Sequence, residues 1–160
     1  MPSEIERFAF VTAYIMRKLQ EADALTEEVM GSRWSVAVYR NPTQTPRRPW
    51  FRVSEDGRSW RQPIEMHYDL ERPQSTRLAF RGVCNNLVHH FAFDVRQGAP
   101  DLEMLFNSWD TRDRLFAMSL GSYIKLVEEV HYDEITWVSL DPSKPHHEQV
   151  VQRRHRPSRA

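Results

Sequence analysis

The first thirty residues set apolar side chains at a helical period. Ile5, Phe8, Val11, Ile15 and Leu19 recur at steps of three and four, which predicts a helix running to about Gln20 with those residues on its inner face. Ser3 and Glu6 stand at capping-box spacing at its start. A second helical piece is expected from Ala22 to Met30, stopped by Gly31. The period then shortens. Arg33 to Arg40 places Trp34, Val36 and Val38 on one side of a strand, and the prolines between Asn41 and Pro49 mark a loop. Trp50 to Gln62 reads as a hairpin around Asp56-Gly57, a strong two-residue turn signal. That turn would set Val53 against Trp60 and Arg52 against Arg61. Pro63 ends the second strand, and Ile64 to Leu70 alternates as a further strand.

The stretch from Ser75 to Val95 reads as a central helix that ends near His90 or Phe93, with Ser75 as its N-cap. Ala79, Phe80, Val83, Cys84, Leu87, Val88 and Phe91 form its apolar stripe. Beyond Gly98 and Pro100, strands are expected at Leu102–Trp109 and Leu115–Ser119, joined by a charged turn. Leu120, Tyr123, Ile124, Val127 and Val130 fit one face of a last helix. Ile135–Leu140 and Gln149–Gln152 read as a closing strand pair. Strands in runs, with a few helices between them and no regular βαβ alternation, predict an α+β fold. The expected architecture is an antiparallel sheet built from hairpins with about three helices packed on one face. Residues 1–152 would form one domain, and 153–160 a disordered basic tail.

Composition narrows this further. A chain of 160 residues with 40% hydrophobic residues has enough material for one packed core. The formal net charge is zero, which argues against indiscriminate polyanion binding. Charge is nonetheless uneven, with an acidic start and a basic end. Lys18, Lys125 and Lys144 are the only lysines among 22 basic residues, so arginine, with its forked contacts, carries the positive charge. Cys84 is the single cysteine, so an internal disulfide and a cysteine-rich zinc site are both excluded. The apolar run from Phe8 to Met16 is too short to span a bilayer and lacks a basic flank. A cytoplasmic protein with no membrane segment is expected.

Three groupings carry candidate chemistry. On the central helix, Arg81, Asn85 and His89 are spaced by four and share a line, with Asn86 and His90 beside them. Arginine holding a phosphate while histidine moves a proton is the chemistry of metal-independent phosphodiester cleavage. Asn85, three residues, then His89 is similar to part of the motif of HEPN-type ribonucleases, which implies a helical, often dimeric nuclease. Cys84 stands where that motif has arginine, and the chain is rich in strand signals, so the family is not assigned. On the hairpin, Arg52 and Arg61 interleave with Trp50 and Trp60. Basic and aromatic groups together suit single-stranded nucleic acid, and Arg52 opposite Arg61 would require a counter-charge. His89, His90, His131 and Asp133 have no metal-ligand spacing, and neither a P-loop nor GxGxxG is present, so no metal and no cofactor are expected.

The sequence thus points to a small binding or accessory protein, a homodimer, that takes nucleic acid or another phosphate-bearing ligand on an Arg/aromatic surface. A ribonuclease using Arg81, Asn85 and His89 is one alternative. A protein–protein interaction module docking through its N-terminal helix is another.

Overall fold

The computed structural model describes residues 3–40, 51–53, 59–61, 64, 67–98, 101–133, 135–139 and 150–153. In chain order the elements are α1 (Glu4–Glu21), α2 (Glu27–Met30), β1 (Arg33–Arg40), β2 (Phe51–Val53), β3 (Ser59–Arg61), β4 (Gln74–Ala79), α3 (Phe80–Val88), β5 (His90–Gln97), β6 (Leu102–Ser108), β7 (Arg114–Ser119), α4 (Leu120–His131), β8 (Ile135–Ser139) and β9 (Val150–Arg153). A single 3₁₀ turn, Trp109–Thr111, joins β6 to β7. β4, β1, β7, β6 and β5 lie side by side in that order as one five-stranded antiparallel sheet, while β2–β3 and β8–β9 are separate two-stranded ladders. The fold is α+β, with α1, α3 and α4 on one face of the sheet.

Strand alternation divides the core in two. Val36, Val38, Phe93, Met104, Phe106, Phe116 and Met118 project to the helical side and join Phe80, Val83, Leu87, Tyr123 and Leu126 in one cluster. Leu105, Leu115, Ala117, Ala92 and Tyr39 project the other way and pack under Ile64 and Tyr68. β6 is covered on both faces, which is why Met104 to Ser108 are all buried.

Four expectations are corrected. The helix expected over 75–95 is helical only from Phe80 to Val88. Gln74–Ala79 zips onto β1, from Val38 opposite Gln74 to Arg33 opposite Ala79, and His90–Gln97 zips onto β6. Pairing with a neighbouring strand outweighs local helix propensity here. Ala79, not Ser75, is the N-cap, without a side-chain bond, and a bulge between His90 and Ala92 marks the return to strand. The second helix shrinks to Glu27–Met30, because Asp23 adopts a left-handed conformation and Thr26 caps the turn. Ile64 to Leu70 is not a strand in its described part: the His67 and Tyr68 N–H groups both donate to Ile64 O, a turn that inserts Tyr68 into the second core.

The fourth correction concerns α1. Its capping box forms as expected, with Ser3 Oγ accepting from Glu6 N–H and the Glu6 carboxylate accepting from Ser3 N–H. The helix, however, is rotated. Ala9, Ala13 and Met16 are its buried face, packed along α3, with Ile5 and Leu19 at the margin. Phe8, Val11 and Ile15 are exposed instead. Two alanines let α1 approach α3 closely, and the Tyr123 hydroxyl donates to Ala9 O at 2.9 Å and meets Thr12 Oγ1 at 2.7 Å.

Candidate functional site

The polar line on α3 is only partly a line. Arg81 is exposed, Asn85 is half-buried, and His89 lies past the helix end as its C-cap, its N–H donating to Asn85 O at 3.0 Å. Arg81 and His89 are about 12 Å apart along the axis, from a rise of about 1.5 Å per residue. The side-chain partner of His89 is Arg17 Nη1 on α1, and since a guanidinium only donates, His89 Nε2 is the acceptor there. Arg17 also donates from Nε to Glu21 at 2.9 Å.

The neighbouring line is structural. Asn86 is buried, its Oδ1 accepting from Ser108 N–H at 3.1 Å and from Thr111 Oγ1 at 2.6 Å, and its Nδ2 donating to Gly82 O at 2.8 Å. It pins α3 to the β6–β7 corner. His90 places Nδ1 2.9 Å from Leu87 O and Nε2 3.4 Å from Glu6 Oε1, tying β5 to α1. Cys84 is buried within the apolar stripe, and burial pushes its thiol up to about 12, so it is no nucleophile near neutral pH.

On the β2–β3 ladder, Arg52 stands opposite Trp60 and Phe51 opposite Arg61. This corrects the expected Arg52–Arg61 pairing by one residue. A two-residue turn at Asp56-Gly57 demands an even connection, whereas the observed register leaves residues 54–58 between the strands. Trp50 and residues 154–160 lie outside the described residues, so of the expected basic tail only Arg153 is placed, at the end of β9.

The like-charge pair anticipated for the hairpin occurs in the main sheet. Arg40 on β1 stands directly opposite Arg114 on β7. Both line an open groove of about 730 Å³ at the end of β1, β4 and β7, to which Arg77, Ser75 and Thr76 of the edge strand also contribute. Apolar side chains of Val38, Leu78 and Phe116 line it as well. Among the described residues local counter-charge is modest: Arg114 Nε is 3.5 Å from Asp113 Oδ1, and Arg40 Nε donates to the neutral Gln74 Oε1 at 3.3 Å. Among the described lining residues, Arg40 and Arg114 face the helical side of the sheet, whereas Arg77, opposite Ser35, projects from the other side of the edge strand, and Asp113 is the one carboxylate. Thr76, opposite Val36, adds a hydroxyl on the same face as the two arginines. Sequence reasoning missed this pair because Arg40 and Arg114 are far apart in the chain, and only the sheet register brings them together. Arg96, by contrast, is paired with the Glu103 carboxylate at 2.8 Å and also donates to the Tyr39 hydroxyl.

Among the described residues no three His, Cys, Asp or Glu side chains gather as ligands for a metal ion, and no helix is long and apolar enough to cross a membrane. No protein-family model, curated protein or solved structure matches the chain.

Proposed function

We propose that this is a non-catalytic binding protein that holds a phosphate-bearing ligand, with single-stranded nucleic acid as the preferred form, in the groove at the end of β1, β4 and β7. The observation that carries the reading is Arg40 opposite Arg114 at the groove. Like charges across a ladder are unfavourable when unoccupied, and a phosphate between the strands reverses the sign of that term. The β2–β3 register, with Arg52 opposite Trp60 and Arg61 opposite Phe51, supports a second basic and aromatic element on that ladder.

Fluorescence anisotropy with a labelled single-stranded oligonucleotide at low salt tests this. Binding should weaken with salt. R40Q/R114Q should weaken it by about tenfold and lower the salt slope by about 0.7 for each phosphate no longer neutralised. R52A/R61A reports whether the hairpin shares the ligand. No binding at low salt, or binding indifferent to both double variants, ends the proposal.

A second reading, a homodimer docking through α1, is favoured by a separate observation. Phe8, Val11, Tyr14 and Ile15 form an exposed apolar strip on the outer face of α1, and an exposed apolar strip of this kind marks a contact with another protein.

A further inference from the structure

The outer face of α1 has a pattern that specifies how it is covered. Phe8 is 40%, Val11 52%, Tyr14 47% and Ile15 50% exposed. They recur at three- and four-residue steps on the side opposite Ala9, Ala13 and Met16. Glu4 ends this strip on one side and Lys18 on the other, both exposed, each seven residues from Val11.

We propose that α1 packs against α1 of a second copy of this chain, antiparallel, about a two-fold axis beside Val11, so that Glu4 of each copy meets Lys18 of the other across the Phe8, Val11, Tyr14 and Ile15 strip. The proposal deepens the homodimer reading and rests on it. Charge selects the arrangement. A parallel in-register pair sets Glu4 on Glu4 and Lys18 on Lys18. An antiparallel pair slipped by three residues one way sets Glu4 against Glu21 and Arg7 against Lys18, both repulsive, and slipped the other way sets Glu4 against Ile15 and loses both Glu4–Lys18 pairs. Centred on Val11, the pair sets Glu4 against Lys18 twice, Phe8 against Tyr14 twice and the exposed Arg7 against Ile15 twice, so no like charges face each other. The contact spans about 21 Å of helix. Antiparallel packing also opposes the helix dipoles favourably, and a self-complementary patch of this kind closes as a two-fold dimer. The in-chain Lys18–Glu21 pair, at 2.6 Å, is exposed and contributes little, so it does not compete strongly for Lys18.

Light scattering on the full chain, up to ~100 μM, tests both levels. E4K and K18E should each weaken the dimer by about tenfold, and E4K/K18E together should restore it. V11C should form a disulfide-linked dimer under mild oxidation, because facing helices about 8–10 Å apart bring their central residues within bonding range. Buried Cys84 leaves that assay uncomplicated, and E128C, on α4, serves as the unlinked control. A wild-type chain that stays monomeric overturns this proposal and the homodimer reading together. A dimer indifferent to both reversals, in which V11C does not cross-link, overturns the α1 arrangement and leaves the homodimer reading standing.

Discussion

Asn85 and Asn86 are adjacent and chemically identical, yet they do different work. Asn85 is half-buried at the surface of α3, whereas Asn86 satisfies a buried backbone N–H and a hydroxyl from the β6–β7 corner. Leaving a buried donor unpaired costs about 1–3 kcal/mol, so N86A should lower the free energy of unfolding by about 2 kcal/mol in a urea titration, while N85A stays within about 0.5 kcal/mol. Equal effects would show that the Asn86 bonds are not what anchors the corner. Burial acts just as selectively on acids that must stay neutral. It pushes Cys84 up to about 12 from 9.0, Tyr68 up to about 12 from 10.0, and Tyr123 further up in the same direction. In each case the folded group holds its proton more tightly than the unfolded one. Their contribution is therefore fully present below about pH 9 and is lost as pH climbs from there towards 12. Alkaline unfolding should begin in that window, with tyrosinate absorbance from the buried tyrosines rising together with loss of circular dichroism. Tyrosinate appearing well before unfolding would contradict the burial account.

At the level of elements, what was legible depended on whether neighbouring strands intervened. The Ser3–Glu6 cap, the bounds of β1 and the helix α4 follow from local chemistry, and each is found where the pattern places it. The Ser75–Val95 stretch misled because Phe80, Val83 and Leu87 fit a helical period while Phe91, Phe93 and Val95 fit a strand period. Only partners far along the chain, β1 and β6, decide where one gives way to the other. The face of α1 misled for a different reason. Bulk is a poor guide when a close helix crossing needs alanine, so the larger side chains went outward. The arginine groove was hidden because register, not spacing, assembles it. One short element owes its place to a distant carboxylate. Thr26 donates to Asp133 from both N–H and hydroxyl at 2.8 Å, which fixes α2 beside the end of α4. T26V removes the hydroxyl cap and one of those bonds at nearly constant shape. It should cost about 1–2 kcal/mol in chemical denaturation, with T26S restoring most of it. A T26V protein as stable as wild type would mean that the Thr26 hydroxyl adds nothing to what the Thr26 N–H bond to Asp133 and the packing of Val29 already supply.

For the molecule as a whole, the sheet has one face under helices and the other under the Ile64–Tyr68 turn, and among the described residues it opens as a groove at the end of β1, β4 and β7. That opening is where stability and the proposed binding pull in opposite directions. Arg40 opposite Arg114 costs the empty protein a few tenths of a kcal/mol up to about 1 kcal/mol, and the exposed Asp113 returns little of it. R114Q keeps much of the aliphatic stem over the groove while removing the charge. Without ligand, R114Q should therefore melt at or slightly above the wild-type temperature at low ionic strength, and the difference should close as salt screens the pair. With a single-stranded oligonucleotide in excess the order should reverse. The wild type gains stability in proportion to the logarithm of ligand over Kd, and R114Q, with weaker binding, gains less. Thermal melts of both proteins, with and without oligonucleotide at low and high salt, measure all of these terms. A variant less stable than wild type without ligand would show that Arg114 is a structural residue. A wild type that gains nothing from the oligonucleotide would remove the reason for keeping two arginines face to face.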